Sequence, residues 1–422
     1  MQLIQVHCCK GCYIHPIPFF IVILPFAKTN CMSAPEILYF DNAATTAVAP
    51  QVLEAMLPYF THTYGNPSSV HHLGRQARAA IEKARKQIAQ HLQASPSEVF
   101  FTSCGTEANN TILLGAVRDL GIQRIISSPT EHHCILHSLE DLQHRHNIEV
   151  VYLSVNEKGQ IDITELETLL YQANAPTTLV SLMHANNEIG TMIDLAKIAT
   201  LCKAAGAYVH SDMVQTFAHY PINLQEIPLD FMASSAHKFH GPKGVGFMYM
   251  RTGNVVKSMI LGGAQERNLR AGTENIAGIM GMTAAANLAY QNLEKDTQYI
   301  FSLKKYLQQQ LLQNFPHIQF NGDVDGNSLY TILNVGFCQK NYPTELLLFQ
   351  LDVEGICVSA GSACSSGSDI GSHVLKAIKS SPAHTAVRFS LSKFNTKSEI
   401  DMLIQRLQGI LLPEKMVAHN SR

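Results

Sequence analysis

The chain has 422 residues, a formal net charge of −2 and 46% hydrophobic residues. This length is sufficient for two domains with large cores, and the mixed charges argue against a polyanion such as a nucleic acid as the natural partner. No apolar run in the body of the chain reaches the length of a membrane span, so no membrane role is expected.

The first 31 residues differ from the rest, because they hold four of the ten cysteines and an apolar run from Ile14 to Ala27 that prolines interrupt. This extension resembles a signal peptide, or it is a translated upstream stretch, since Met32 offers a start just before the first motif. We favour the second interpretation. Cys8, Cys9 and Cys12 lack a second pair at metal-ligand spacing, so a metal site is not expected there.

The other six cysteines are scattered singly through the chain, which is typical of a protein in a reducing cytosol and predicts a cytoplasmic location. They are Cys104, Cys134, Cys202, Cys338, Cys357 and Cys364.

The first helix is predicted from Ala47 onward, with Pro50 in its first turn. Apolar residues repeat there at helical spacing, namely at Val52, Leu53, Met56, Leu57 and Phe60. A charged amphipathic helix is predicted from about Arg75 to Leu92.

Short apolar runs then alternate with helical patterns and predict buried strands at Val99–Thr102, Arg124–Ser127, Val150–Leu153, Thr178–Met183, Ala207–His210 and Leu229–Ala233. Thr164 and Glu167 have the spacing of a capping box for one of the intervening helices. Alternating strands and helices predict a mostly parallel sheet with helices on both faces, which is an α/β fold.

Polar groups follow several of these strands. They are Cys104 to Thr106, His132, Asn187, Asp212 and Lys238. In open α/β sheets, ligands bind beyond the carboxyl ends of the strands. Because each of these polar residues comes just after a predicted strand, the sequence predicts a cofactor site at one edge of the sheet.

From about Glu294 the pattern changes to a smaller α+β region. Its predicted strands lie at Tyr330–Val335, Ile356–Val358 and Ala386–Leu391, and its predicted helices lie near Glu345–Val353, His373–Ile378 and Ser398–Leu412.

Lys238 lies between His237 and His240, just after an apolar run and just before a turn with glycine and proline. A lysine in a desolvated setting releases its proton more easily, as a Schiff base with an aldehyde cofactor requires. A surface lysine in a basic loop explains these residues equally well. The stretch alone leaves both interpretations open.

Seven motifs in a fixed order resemble those of the pyridoxal-phosphate-dependent cysteine desulfurases, the NifS/IscS-like group of the class-V aminotransferases. They are Tyr39 to Thr46, Gly65 to Ser69, Thr102 to Glu107, Asn186 to Thr191, Ser234 to Gly246, Gln265 to Asn275 and Gly361 to Ser366. The resemblance implies a fold-type-I transferase. Residues 47–294 would form its large cofactor-binding domain, and residues 32–46 with 295–422 a small domain.

The resemblance implies that Lys238 holds pyridoxal 5'-phosphate as a Schiff base, while Asp212 pairs with its ring nitrogen. The remaining cofactor residues would be Gly105, Thr106, His132, Asn187, Gln215, Ser235, His237 and Thr273. Asn187 would also contact the substrate. Asn187 competes with Asn186, and His132 with His133, for the cofactor contact. Met213 and Cys104 depart from the small residues usual at their positions.

Thr273 would reach the cofactor phosphate of a partner subunit, which implies a homodimer. Arg388 would bind the substrate carboxylate, because a guanidinium matches a carboxylate with two hydrogen bonds.

Cys364 would be the nucleophile, in a run of small residues from Ser359 to Ser368, and a catalytic residue together with Lys238 and His132. The family resemblance also allows Cys364 to ligate an iron–sulfur cluster transiently with a partner.

The predicted activity is removal of sulfur from L-cysteine, which gives L-alanine and a persulfide on Cys364. That persulfide would supply a scaffold or acceptor protein of iron–sulfur assembly or thiolation. A selenocysteine lyase or another aminotransferase-like enzyme is the alternative. A non-catalytic sulfur-carrier scaffold is disfavoured, because Lys238 and Cys364 are both present.

Overall fold

The computed structural model describes residues 35–342, 344, 346–360 and 371–412. Described residues from Ile37 onward belong to one compact unit. The predictions for the N-terminal extension and for Cys364 fall outside the described residues.

Helices and strands alternate along most of the chain. The helices are α1 (Pro50–Met56), α2 (Pro58–Thr61), α3 (His72–Leu92), α4 (Gly105–Leu120), α5 (His133–His146), α6 (Ile163–Leu170), α7 (Leu195–Ala204), α8 (Gln265–Asn268), α9 (Ile276–Gln291), α10 (Leu293–Asn314), α11 (Leu347–Val353), α12 (His373–Ala377) and α13 (Lys397–Leu411). The strands are β1 (Leu38–Tyr39), β2 (Val99–Thr102), β3 (Arg124–Ser127), β4 (Glu149–Tyr152), β5 (Thr178–Ser181), β6 (Tyr208–Asp212), β7 (Phe231–Ser235), β8 (Gly246–Met250), β9 (Ile318–Asn321), β10 (Ile332–Cys338), β11 (Ile356–Cys357) and β12 (His384–Ser390).

The central sheet has seven strands in the order β2-β8-β7-β6-β5-β3-β4. Strands β7, β6, β5, β3 and β4 pair in parallel, and β8 lies antiparallel between β2 and β7. The strand β2 therefore points the same way as β7, and its carboxyl end lies at the same edge. The predicted α/β class with a mostly parallel sheet is confirmed.

Both faces of this sheet are buried, because neighbouring residues of one strand enter different hydrophobic clusters. Phe101 and Ile126 pack in one cluster, which also holds residues of α3 and α9. Phe100 and Ile125 pack in another, with residues of α4 and α5. Side chains alternate between the faces of a strand, so continuous apolar runs are expected when helices cover both faces.

The first predicted helix has Pro50 in its first turn, as predicted, but it is interrupted before Pro58, and Leu53, Leu57 and Phe60 are 52%, 52% and 60% exposed. Two other local expectations are wrong. The helix α6 is capped by Asp162, whose carboxylate accepts the backbone N–H of Thr164, so Thr164 lies inside the helix. The strand β4 is the sheet edge and only partly buried, unlike the buried strand that was predicted.

A second, antiparallel sheet has the order β12-β10-β9, and β1 pairs in parallel with β11. These elements share one core with α10 and α13, in which Phe337, Val387 and Phe389 are fully buried. The strand β9 was missed by the sequence pattern. Division of the chain into a large and a small domain stays a prediction.

Within the described ranges, no helix combines the length and the apolar character needed to cross a lipid bilayer.

Candidate active site

A cavity of about 210 Å³ lies beyond the carboxyl ends of the central strands. It is lined by every predicted cofactor and substrate residue that the structure describes except Thr273, namely Gly105, Thr106, His132, Asn187, Asp212, Gln215, Ser235, His237, Lys238 and Arg388. The chain brings these residues together from five separate strand ends and from strand β12.

Lys238 ends a short helical turn that follows strand β7 directly. Its Nζ donates hydrogen bonds to the backbone carbonyls of Ala43 and Ala44, at 2.6 and 2.9 Å. The Nε2 of His219 donates to the Lys238 carbonyl at 3.1 Å and so fixes its backbone. The loop after β1 therefore places two carbonyl acceptors around the amine.

Asp212 is the last residue of strand β6 and lines the same cavity. Its Oδ1 accepts the backbone N–H of Val214 at 2.9 Å, and its Oδ2 accepts Asn109 Nδ2 at 2.7 Å. Burial raises the pKa of the Asp212 carboxyl, while these hydrogen bonds and the charge of Lys238 oppose that rise. The two hydrogen bonds and the Lys238 charge favour the ionised carboxylate, which can accept a hydrogen bond from a donor in the cavity.

The N-terminus of α4 forms a cradle suited to an anion. The first backbone N–H groups of a helix have no partner within the helix, and the helix dipole favours negative charge there. A side chain at Gly105 would place its Cβ 2.6 Å from Val214 Cγ2, so only glycine keeps this approach open. Ser235 Oγ is buried beside it and has no hydrogen-bond partner among the residues that the structure describes.

His132 caps helix α5, with its Nδ1 accepting the backbone N–H of Cys134 at 3.1 Å. Burial, and then the charge of Lys238, lowers the pKa of His132 to about 4. The ring is therefore neutral near pH 7 and carries its proton on Nε2. His133 lines an adjoining groove together with His137 and His373, and does not line the cavity.

Arg388 lies inside strand β12 and is 1% exposed. Its Nη1 donates to the Asn187 carbonyl at 2.9 Å, and its Nη2 donates to Asp41 Oδ1 at 2.6 Å. Its Nε is buried and has no acceptor within the described part of the chain. The guanidinium is thus held in place by two acceptors at the wall of the cavity.

Residues 38–403 match the family described as aminotransferase class-V. The cysteine desulfurase IscS of Dictyoglomus turgidum is 41% identical to the chain, over 89% of the chain and 94% of that protein. Cysteine desulfurase 2 of Trichormus variabilis is 42% identical, over 89% and 93% respectively.

Among solved structures, one titled "NIFS-LIKE PROTEIN" superimposes with a TM-score of 0.81 and 36% identity, over 89% of this chain and 99% of the other.

The chain belongs to the cysteine desulfurases of the class-V aminotransferase family. Members of this family depend on pyridoxal phosphate, and the residues of the cavity fit that cofactor. Lys238 supplies an amine and Asp212 a carboxylate. The N-terminus of α4 and the Ser235 hydroxyl, which has no partner in the described part of the chain, form a cradle for a phosphate. A structure titled "SspA in complex with cysteine" shares 31% identity, with a TM-score of 0.72, over 85% of this chain and 99% of the other.

The competing candidates separate by position. Asn187 lines the cavity, whereas the buried Asn186 donates to the Thr130 carbonyl and accepts from the backbone N–H of Glu188. Thr273 is exposed and does not line the cavity. The roles of these residues stay predictions, as does the role of Cys364.

Two site residues were missed by sequence reasoning. Asn109 touches Asp212, and its signal was a polar residue on the buried face of α4, one turn after Gly105. Asp41 pairs with Arg388 across 347 residues of sequence, and no local pattern could have indicated that contact.

Proposed function

We propose that the chain takes sulfur from L-cysteine, leaves L-alanine, and holds the sulfur as a persulfide on Cys364. The observation that carries this proposal is the shared cavity of Lys238, Asp212 and Arg388, with the cradle of α4 beside them. An amine, a carboxylate and a guanidinium around one cavity match the cofactor and an amino-acid substrate.

Pyridoxal phosphate, when bound, acts as an electron sink that weakens bonds at the substrate carbon chain. Lys238 would hold the cofactor covalently and, once released, its amine would take the proton from the substrate carbon that carries the amino group. The Asp212 carboxylate would hold the ring nitrogen in its protonated form. Neutral His132 would lie against the ring and use its Nε2–H as a donor.

Arg388 would fix the substrate carboxylate. Its guanidinium is already held by Asp41 and the Asn187 carbonyl, so little reorganisation is needed on binding. The positive charge of Arg388 at the cavity wall favours a substrate that carries a carboxylate.

The sulfur step needs a thiolate, since a free thiol has a pKa of about 8.5 and is mostly protonated at neutral pH. The Cys364 thiolate would form an S–S bond with the substrate sulfur. The carbon–sulfur bond breaks, its electron pair stays with the substrate carbon, and that carbon later takes a proton to become the methyl group of alanine.

Cys104 and Cys134 also line the cavity and are the rivals of Cys364. Burial, and then the charge of Asp212, raises the pKa of Cys134 to about 12, so this thiol stays protonated. Such a group is a poor nucleophile.

The test compares Cys364→Ser with Cys104→Ser and Cys134→Ser. We expect Cys364→Ser alone to abolish alanine release from L-cysteine while the bound cofactor keeps its absorbance. Alanine release at the wild-type rate by Cys364→Ser would refute the role of Cys364.

The dimer is a further part of the proposal. Leu53, Leu57 and Phe60 are exposed along one stretch, which is typical of a covered surface, and Thr273 lies outside its own cavity. Both observations support a second copy that receives Thr273.

Mixing inactive Lys238→Ala with inactive Thr273→Ala tests this arrangement. A mixed dimer would hold one complete site, so random exchange should restore about a quarter of wild-type activity. If native mass spectrometry detects mixed dimers and no activity is recovered, a shared site is contradicted.

We also propose that the persulfide passes to an acceptor protein of iron–sulfur assembly or thiolation in the cytoplasm. The names of the relatives and the scattered cysteines support this assignment. Transfer of ³⁵S from cysteine to a purified scaffold protein would test it.

A further inference from the structure

A row of buried polar side chains runs beneath the cavity and ends on the carboxylate of Asp212. Asn109 Nδ2 donates to Asp212 Oδ2 at 2.7 Å, and Asn109 Oδ1 lies 3.1 Å from His210 Nε2. His210 Nδ1 lies 2.9 Å from Ser181 Oγ. Asn109, His210 and Ser181 are fully buried.

The direction of every hydrogen bond in this row follows from its end. An ionised carboxylate only accepts, so Asn109 turns its Nδ2 toward Asp212 and its Oδ1 toward His210. That oxygen also only accepts, so the proton of His210 must lie on Nε2. His210 Nδ1 is then an acceptor, and Ser181 Oγ–H donates to it.

The acceptor at Asn109 Oδ1 selects this tautomer of His210, and the ring remains neutral. Burial lowers its pKa to about 3, so the ring does not take a second proton near neutral pH. All three donors therefore point toward Asp212, and aligned donors polarise one another in a buried site.

A purely structural role would not need this chemistry. The row crosses from α4 to β6 and β5, whose neighbouring residues Ala108, Ile112 and Leu179 belong to an apolar cluster. Apolar residues would fill the space without the desolvation that buried amide and imidazole groups require. The polar row is consistent with a need for donors at the one oxygen on which it ends.

We propose that Asn109 and His210 are positioning residues that keep Asp212 an oriented carboxylate, so that Asp212 holds the proton on the ring nitrogen of pyridoxal phosphate. This inference rests on the proposed function and adds to it the groups behind Asp212. Burial opposes an ionised Asp212. Two donors fix its oxygens, one from the Val214 backbone and one from Asn109, and the remaining lone pairs face the cavity.

The test uses the full-length holoenzyme loaded with cofactor that carries ¹⁵N in its ring. The ¹⁵N chemical shift reports whether that nitrogen is protonated. In wild type we expect the protonated signal. In Asn109→Leu, which keeps the volume and removes the donor, we expect a shift toward the unprotonated signal and about a tenfold rise in the cofactor dissociation constant.

Asn110→Leu is the matched control. Asn110 is the next residue of α4, and its side chain donates to the Thr106 carbonyl and has no hydrogen bond to Asp212. We expect the wild-type ring signal from this variant. A change equal to that of Asn109→Leu would overturn the proposal that the row Ser181–His210–Asn109 acts on Asp212, here called the relay.

A double-mutant cycle separates an effect of His210 that passes through Asn109 from a general effect on packing. His210→Phe should weaken the protonated signal when Asn109 is present and change nothing further in the Asn109→Leu background. His210→Gln, which keeps an N–H donor, should restore most of the signal. An equal effect of His210→Phe in both backgrounds would contradict a path through Asn109.

The outcomes for the relay and for the function are distinct. A wild-type chain that binds no pyridoxal phosphate would overturn the proposed function and the relay with it. A wild-type chain with a protonated ring, together with an unchanged ring in Asn109→Leu, would overturn the relay alone.

Discussion

The cavity has two sides that are built in different ways. Its cofactor side lies on the central sheet, where Thr106, Asp212 and Lys238 each follow the carboxyl end of a strand. Its substrate side rests on Arg388, which lies inside a strand of the antiparallel sheet and is fixed by Asp41.

The difference teaches how each side is specified. Parallel strands bring their carboxyl ends to one edge, so the topology alone collects the cofactor residues. The topology does not place the Arg388 guanidinium in this way, and its charge depends on one ion pair with Asp41, far away in sequence, beside a hydrogen bond to the Asn187 carbonyl. The first side should therefore tolerate changes around its strands, whereas the second should respond to one partner.

The largest effect is expected from the cofactor side. Lys238→Ala removes the amine that holds the cofactor and moves protons, so we expect turnover to fall by about 10³-fold or more. Steady-state alanine release measures it. Lys243→Ala, at an exposed lysine in the following turn, is the control and should retain activity. Turnover at the wild-type rate by Lys238→Ala would show that a different amine holds the cofactor.

The substrate side gives the next effect. Arg388→Ala removes the carboxylate partner and leaves Asp41 without its cation, so we expect kcat/KM for L-cysteine to fall by about 10²-fold or more. Arg388→Lys should recover little, because an ammonium cannot form two parallel hydrogen bonds. Recovery to wild type by lysine would show that charge alone is needed.

A smaller effect is expected at Asp41. It shows whether Asp41 positions the Arg388 guanidinium or competes with the substrate carboxylate for it. Asp41→Asn removes the charge that fixes the guanidinium and keeps the shape, so we expect KM to rise by about tenfold with little change in kcat. Initial rates across a range of L-cysteine concentrations measure both constants. A fall in KM would mean that Asp41 competes with the substrate carboxylate.

The last effect is on stability and concerns histidines in or just after the strands of the central sheet. Burial, as the largest cause, lowers the pKa of His132, His184, His237 and His240 to about 4 and that of His210 to about 3. The unfolded chain binds more protons than the folded chain below about pH 6.5, so stability falls with pH from there toward pH 4.

We expect each of these rings to contribute up to about 3 kcal/mol to this loss, which appears as a falling Tm in calorimetry. A Tm that stays constant from pH 7 to pH 4.5 would show that these rings are protonated in the folded chain.

The positions of polar residues just after the predicted strands sufficed to predict the edge at which Asp212 and Lys238 meet. A buried parallel sheet leaves few other places for polar residues. The cap at Thr164 failed because Asp162, two residues earlier, is an equally good cap and starts the helix sooner. Leu57 and Phe60 have the helical spacing of a core face, yet spacing does not say what covers that face.

Contacts between distant segments were beyond local patterns. Asn109 could have been suspected, since a polar residue on the buried face of α4 needs a partner. Asp41 could not, since only the folded chain shows that it reaches Arg388.

The central claim is that the amine of Lys238 forms the covalent bond to pyridoxal phosphate. Reduction of the holoenzyme with borohydride makes that bond permanent, and mass spectrometry of a protease digest then locates the modified lysine. The account predicts the modification on the peptide that contains Lys238. A modification on any other lysine, with Lys238 unmodified, would contradict it.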